Sequence, residues 1–322
     1  MSDCVLQTIE ANGLRMQVAM QGSGPLVLLC HGFPELWISW RAQLEALSAA
    51  GYRAVAPDMR GFGGTTAPED PTAYSLLHMV GDMVELVRAL KETQAVIVGH
   101  DWGAPVAWNA GLLRPDVFRA VVGMSVPYAP PGRVEMLSAL RQAGVDTFYM
   151  QYFQTPGVAE AELEQDVATS IRRIHFSASG EGQALLGRPT FGVLDAGQGF
   201  LQHLIEPPEA PDWWSEDEIA HYIAEFSRTG FRGGLSWYRN IKRSWELLAP
   251  WRGRAIHQPS MFIAGARDDV LKFPGSMSQI DNFGRTLPGL RGCHVLEGAG
   301  HWIQRERASA VNGLLIDFLR QL

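Results

Sequence analysis

Short apolar runs recur along the chain, and each one ends in small or polar residues. The six runs are PLVLLCHG (25–32), YRAVAPD (52–58), AVIVGH (95–100), AVVGMSVP (120–127), SMFIAGARDD (260–269) and CHVLEGAGH (293–301). Continuous runs of this length are typical of strands that are buried on both faces of a parallel sheet. Segments with helical spacing separate them, at 36–50, 75–91, 102–113 and 305–321. The alternation predicts an α/β fold with a mostly parallel, doubly wound sheet.

The alternation has two departures. Near the N-terminus, alternating residues turn at Asn12-Gly13, which is a strong signal for a β-hairpin. After the fourth run the strands stop until the fifth, and the long intervening segment has helical patterns and many aromatic residues, so it is not a loop. We predict a core of residues 1–127 and 246–322 and an inserted helical cap of residues 128–245. The cap is expected to cover the carboxyl ends of the strands, where ligands bind in such sheets.

Composition excludes several classes of protein. The formal net charge is -7 and basic residues are not clustered, which argues against nucleic-acid binding. The three cysteines, Cys4, Cys30 and Cys293, form no CxxC pair, so neither a disulfide framework nor a zinc site is expected. No apolar run approaches the ~18 residues of a membrane span. The polar start MSDCVLQTIEANG does not resemble a signal peptide, and we expect a cytoplasmic location.

The most informative motif is Gly99-His100-Asp101-Trp102-Gly103, between the third run and a helical segment. It has the G-x-nucleophile-x-G form of an elbow, a sharp strand-to-helix turn that exposes the central side chain. The central residue is Asp101 instead of serine, and a carboxylate is ionised at neutral pH and attacks carbon without a base. The motif predicts an alkyl ester on Asp101 and an oxyanion donor in the N–H of Trp102. Alternatively, Asp101 could simply cap the following helix.

Loops after the last two runs offer groups that would hydrolyse such an ester. His301 lies in the glycine-rich loop Gly298-Ala299-Gly300-His301-Trp302 and is a candidate general base. Asp268 or its neighbour Asp269 would orient the imidazole, and we favour Asp268. The order nucleophile, acid, histidine is that of the α/β-hydrolase fold.

The motif His31-Gly32-Phe33-Pro34-Glu35 follows the first run. In the α/β-hydrolase fold, the loop at this place supplies a second oxyanion N–H. We assign that N–H to Phe33, because Pro34 has none. His31 is expected to be a structural partner. The turn at 57–64 is also expected to be structural, since it lacks the Lys-Ser/Thr ending of a phosphate loop.

Taken together, HGFPELW, PDMRGFGG, VGHDWGAPVAW, ARDDVL and GAGHW resemble the soluble epoxide hydrolases of the α/β-hydrolase superfamily. The resemblance extends over nearly the whole chain. It implies an enzyme that adds water to an epoxide through an ester on Asp101, which water activated by His301 then hydrolyses. It also implies that no metal or organic cofactor is needed. The expected partners are a small apolar epoxide and water, and the family permits either a monomer or a homodimer.

Two cap segments, residues 146–158 and 230–240, resemble those that supply paired tyrosines in the epoxide hydrolases. By this resemblance Tyr149 and Tyr238 bind the epoxide oxygen, because a phenol with a pKa near ~10 can protonate an alkoxide. Tyr152 would be the neighbour of Tyr149 on a helix and is a second choice. Substrate contacts are expected from Trp102, Tyr152 and Pro34.

Two alternatives remain open on the sequence. A haloalkane or haloacid dehalogenase shares the aspartate nucleophile and would use a donor such as Trp102 to bind halide. A non-catalytic small-molecule receptor on this fold would bind an apolar ligand without turnover. An ester hydrolase is disfavoured, because aspartate replaces serine in the elbow.

Overall fold

The computed structural model of the protein describes residues 4–322, which contain an eight-stranded sheet of order β1-β2-β4-β3-β5-β6-β7-β8. The strands are β1 Val5–Ala11, β2 Leu14–Gln21, β3 Leu26–Cys30, β4 Arg53–Pro57, β5 Ala95–His100, β6 Phe118–Met124, β7 Ser260–Gly265 and β8 Leu290–Leu296. Strands β3 to β8 pair in parallel, whereas β1 and β2 are antiparallel. The predicted α/β-hydrolase fold with a mostly parallel sheet is therefore confirmed.

The strand predictions succeed best where the strand is buried on both faces. Every residue of β3, β5 and β7 is buried, as the continuous apolar runs predict. The strand β8 begins at Leu290, three residues before the predicted run, because it is an edge strand. Its side chains alternate between half-buried and exposed, so its first residues give no continuous apolar signal. The predicted hairpin is confirmed: Asn12 and Gly13 both have positive φ between the paired strands β1 and β2.

Helices cover both faces of the sheet. The core helices are α1 Arg41–Ala49, α2 Leu76–Ala89, α3 Gly103–Leu113, α12 Ser276–Asp281, α13 Phe283–Thr286, α14 Ile303–Glu306 and α15 Ala308–Leu319. Apolar side chains of α2 and α3 share one buried cluster with Ile97 of β5, and those of α1 and α15 share the other with Val96 and Val98. Within residues 4–322 no helix is both long and apolar enough to cross a bilayer.

The chain between β6 and β7 is helical. Its helices are α4 Met136–Gln142, α5 Tyr149–Tyr152, α6 Val158–Leu163, α7 Val167–Ala178, α8 Gly180–Leu186, α9 Glu216–Thr229, α10 Arg232–Arg239 and α11 Ile241–Leu247. Short 3-10 helices lie at Trp37–Trp40, Pro71–Tyr74, Ala249–Trp251 and Asp269–Lys272. The predicted boundary at residue 245 falls inside α11, and the division into core and cap stays a prediction.

Candidate active site

The turn between β5 and α3 holds Asp101 in a backbone conformation that few residues adopt. Its φ is 51°, in the left-handed region that costs a non-glycine residue energy and is tolerated where the surroundings enforce it. The flanking glycines explain the tightness of this turn. A Cβ on Gly99 would lie 1.9 Å from the carbonyl oxygen of Gly103, and a Cβ on Gly103 would lie 2.0 Å from that of Cys30. No larger residue fits at either place.

Both carboxylate oxygens of Asp101 have partners from other strand ends. The N–H of Phe33, just after β3, donates to Oδ1 at 2.7 Å. The Nε2 atom of His301, after β8, lies 3.3 Å from Oδ2. The peptide bond between Phe33 and Pro34 is cis. Because the Phe33 N–H already donates to Oδ1 of Asp101, this oxygen is the one that would become the oxyanion during hydrolysis of an ester on Asp101.

The imidazole of His301 lies between two aspartates. Its Nδ1 atom is 3.1 Å from Oδ1 of Asp268. Of the two candidates, Asp268 and Asp269, it is therefore Asp268 that contacts the imidazole. The neighbour Asp269 is engaged elsewhere: its Oδ2 accepts from the N–H of Thr190 at 2.7 Å and its Oδ1 from Lys272 at 3.1 Å. The structure therefore brings Asp101, His301 and Asp268 together and excludes Asp269 from this chain of contacts.

Electrostatics distinguish these groups from ordinary buried ones. Burial alone would lower the pKa of His301, but the carboxylates of Asp268 and Asp101 outweigh it and raise that pKa well above its usual value. Burial would raise the pKa of Asp268, but His301 outweighs it and lowers that pKa. The resting site therefore favours an imidazolium between two carboxylates.

The two predicted cap tyrosines lie together near Asp101. The ring centroids of Tyr149 and Tyr238 are 6.0 Å apart, and both side chains are buried. Burial raises the pKa of both phenols well above 10, and the negative charge of Asp101 raises each further. Tyr149 begins α5, whereas Tyr238 is in the last turn of α10, where its ring packs 5.1 Å from that of Trp102. The protonated phenol is thus the stable form of each.

A mostly apolar cavity of about 310 Å³ reaches Asp101. Trp102 and Tyr149 line it beside the carboxylate, and an exposed rim is formed by Ala129, Met136 and Pro274. Tyr238 is not among the lining residues, but its ring packs against Trp102 and Tyr149, which are. The cavity has the size and character of a pocket for a small apolar molecule.

Two expected substrate contacts are absent from this geometry. Among the described residues that line the cavity, neither Tyr152 nor Pro34 is present. The hydroxyl of Tyr152 instead donates to Oε2 of Glu162 at 2.8 Å. Pro34 is buried in the loop that carries the Phe33 N–H. Tyr152 lies one helical turn after Tyr149, as predicted. Its hydroxyl, however, bonds to Glu162, and the residue does not line the cavity.

The sequence interpretation missed Ser125, which follows β6. Its Oγ lies 3.0 Å from Nδ1 of His301, the side chain is fully buried, and its φ of 68° is left-handed. The available signal was its position, because the other site residues also follow parallel strands. Glu35 was missed too: its Oε2 lies 2.9 Å from Nδ1 of His100, and Nε2 of His100 lies 2.7 Å from the carbonyl oxygen of His301.

The residues expected to be structural have structural contacts. The Nε2 atom of His31 accepts from the N–H of Met59 at 2.9 Å, and burial lowers the pKa of His31 to about 4. In the turn at 57–64, Asp58 accepts from the N–H groups of Trp37 and Gly64. These bonds join the loops after β3 and β4 and so support the position of Phe33.

Comparison with known proteins agrees with this geometry. The α/β hydrolase fold family matches residues 25–308. The chain is 43% identical to Epoxide hydrolase A of Mycobacterium tuberculosis over 98% of this chain and 97% of that protein. It is also 43% identical to Epoxide hydrolase 1 of Siraitia grosvenorii, with the same coverage. The solved structure of an epoxide hydrolase from an endophytic Streptomyces superposes with a TM-score of 0.93 at 45% identity, over 98% of this chain and 95% of that one. The chain belongs to the epoxide hydrolases of the α/β-hydrolase fold family.

Proposed function

We propose that this protein adds water to epoxides to give vicinal diols, through an ester on Asp101. One observation carries the proposal. A strained elbow presents Asp101 with Oδ1 held by the N–H of Phe33 and with Oδ2 3.3 Å from Nε2 of His301. A carboxylate in this position can attack a saturated carbon, and the histidine beside it can activate the water that releases the product.

In the first step Oδ2 of Asp101 attacks an epoxide carbon, and the carbon–oxygen bond of the ring breaks. The alkoxide takes the proton of Tyr149 or Tyr238, which otherwise remain protonated because their pKa values are raised. The hydrogen bond from Phe33 leaves Oδ2 as the freer nucleophile and prepares Oδ1 to become the ester carbonyl oxygen.

Before the second step the imidazolium of His301 gives its proton to the tyrosinate, which restores the phenol. Water then attacks the ester carbonyl carbon while the neutral imidazole of His301 takes its proton. The oxyanion forms on Oδ1, where the N–H groups of Phe33 and Trp102 stabilise it. The departing alkoxide takes that proton from His301, and the proton of the new carboxyl group restores the imidazolium. Esterification removes the charge of Asp101, one cause of the raised pKa of His301, and so prepares the imidazole to act as a base.

Three further proposals concern the domain division, the substrate and the cellular location. Residues 128–245 form a cap over the core, since they supply both tyrosines and part of the cavity lining. The substrate is a small apolar epoxide, because the cavity is mostly apolar. The location is cytoplasmic, which the three unpaired cysteines fit.

The decisive experiment traps the ester. A His301→Gln variant is mixed with styrene oxide, and the intact protein is weighed. We expect an adduct of the substrate's mass that maps to Asp101, and no adduct when Asp101→Asn is added to the same variant. No adduct together with no diol from the unmodified protein would contradict the proposal. Halide release from haloalkanes without diol formation would instead identify a dehalogenase, and binding of an epoxide without turnover a receptor.

A further inference from the structure

The cavity extends along α3 to an end away from the nucleophile. Asp101, Pro105 and Asn109 are spaced four residues apart along the elbow and α3, and all three line the cavity. The eight residue steps from Asp101 to Asn109, six of them within α3, correspond to about 12 Å at the helical rise of 1.5 Å per residue. Tyr128 and Leu248, both buried, line the cavity with Asn109. The space is therefore longer than a small epoxide needs.

Asn109 brings an unused hydrogen-bond acceptor to this end. Its side chain is buried, and its Nδ2 donates to the carbonyl oxygen of Pro105 at 2.8 Å. That bond fixes the amide orientation and leaves Oδ1 as the other polar atom. Within residues 4–322, no donor bonds to Oδ1. Because Asn109 lines the cavity and its Oδ1 atom is accessible from it, a ligand donor that reaches this acceptor can bond to it.

The lining is also nearly free of charge. Among the described residues that form it, the only formal charge at neutral pH is that of Asp101 itself. A substrate with a distant carboxylate would lose its hydration there without gaining a cation, and the charge of Asp101 would repel it. A hydroxyl at the same place would donate to Oδ1 of Asn109.

We propose that the cavity selects elongated, uncharged epoxides, and that Asn109 is a specificity-determining residue that accepts a hydrogen bond from a hydroxyl group at the far end of the substrate. The inference rests on the proposed epoxide hydrolysis and extends its substrates from small apolar epoxides to longer ones that fill the cavity. Discrimination would arise mainly in kcat/KM for long substrates, because a short epoxide does not reach Asn109.

The test compares three terminal epoxides with unbranched chains of equal length, long enough to span about 12 Å. Their far ends are a methyl group, a primary hydroxyl and a carboxylate. For the unmodified protein we expect kcat/KM to be highest for the hydroxyl and at least about tenfold lower for the carboxylate than for the methyl compound. Equal or faster turnover of the carboxylate compound would overturn the claim about charge.

The variant Asn109→Leu, of similar shape, tests the hydrogen bond. We expect kcat/KM for the hydroxyl compound to fall about three- to tenfold, while the methyl compound and the short control styrene oxide change by less than about twofold. An equal loss for all three long compounds, or no loss for the hydroxyl compound, would overturn the role of Asn109. Should this variant fail to fold, a hydroxyl compound no better than the methyl compound in the unmodified protein would also overturn that role. No diol from any substrate, styrene oxide included, would mark failure of the proposed reaction itself.

Discussion

The core and the proposed cap, residues 128–245, contribute groups that are positioned in different ways. The core groups Asp101, His301 and Asp268 lie after parallel strands and are held by hydrogen bonds and an ion pair at 2.7 to 3.3 Å. The cap groups Tyr149 and Tyr238 lie on short helices and are held by aromatic neighbours at centroid distances of 5.0 to 6.3 Å. The core thus positions charge with backbone and hydrogen bonds, whereas the cap positions neutral phenols by packing.

Two buried histidines show what this difference does to protonation. His175, in α7, stacks between Trp214 and Trp302 at 4.6 Å from each ring, and its pKa is lowered to about 3 by burial and by the charge of Arg305. His301 is equally buried, but its two carboxylate neighbours raise its pKa. Burial alone therefore makes an inert histidine, and the reactive one requires the charges that the strand ends supply.

The sharpest test of the core contacts is Asp268→Asn, compared with Asp269→Asn. We expect the first to slow ester hydrolysis about 10³-fold or more, because the amide no longer holds the correct tautomer or stabilises the imidazolium. The second should change it by less than about tenfold, since Asp269 contacts Thr190 and Lys272 instead. Single-turnover kinetics measure the step, and thermal melts control for folding. The reverse order would assign the triad acid to Asp269.

The cap is tested by Tyr149→Phe and Tyr238→Phe. We expect each to slow ester formation roughly 10²-fold, the effect of removing one donor to a developing oxyanion. Ester hydrolysis should change much less, because the phenols act on the epoxide oxygen. Tyr152→Phe is the matched control, since its hydroxyl contacts Glu162, and it should leave both rates within about twofold. Equal slowing of both steps by Tyr238→Phe would remove its assigned role.

A smaller effect is expected from Ser125, a positioning residue of the core. Ser125→Ala removes the contact with Nδ1 of His301 and should slow ester hydrolysis about three- to tenfold while ester formation is unchanged. Ser125→Gly also lacks the hydroxyl but accepts the φ of 68° without strain, so it should give the same kinetic split. Slowing of both steps by Ser125→Ala, with recovery in Ser125→Gly, would point to backbone strain instead.

The smallest effect is a predicted lack of pH dependence. Because the pKa values of Tyr149 and Tyr238 are raised well above 10, both phenols keep their protons as the pH rises from 7 to 10. Ester formation in the His301→Gln variant should then change by less than about twofold over this range, since loss of the donors begins only above it. Rapid-quench mass measurement follows the adduct, and circular dichroism verifies the fold. A fall in rate with a midpoint below pH 10 would contradict the raised values.

Features that depend only on residues close together in the sequence were predictable without the structure. The strands β3, β5 and β7 are continuous apolar runs because both of their faces are buried, and each run can be recognised without its partners. The elbow at Asp101 is equally local, since Gly99 and Gly103 lie within two residues of it. The separate helices between β6 and β7 were not predicted individually, because most of them are eight residues or shorter and show too few turns for a clear helical period.

The sequence by itself determined the order of strands and helices, the glycine-flanked elbow and the side chains available at the strand ends, because these depend on backbone conformation and burial within short segments. Only the tertiary structure decided that Asp268 and not Asp269 meets His301, that Ser125 joins them, and that Tyr152 points to Glu162. Ser125 and His301 are 176 residues apart in the chain. Contacts between such distant residues depend on how the sheet and cap pack together, and a difference of one residue or one helical turn then changes the partner completely.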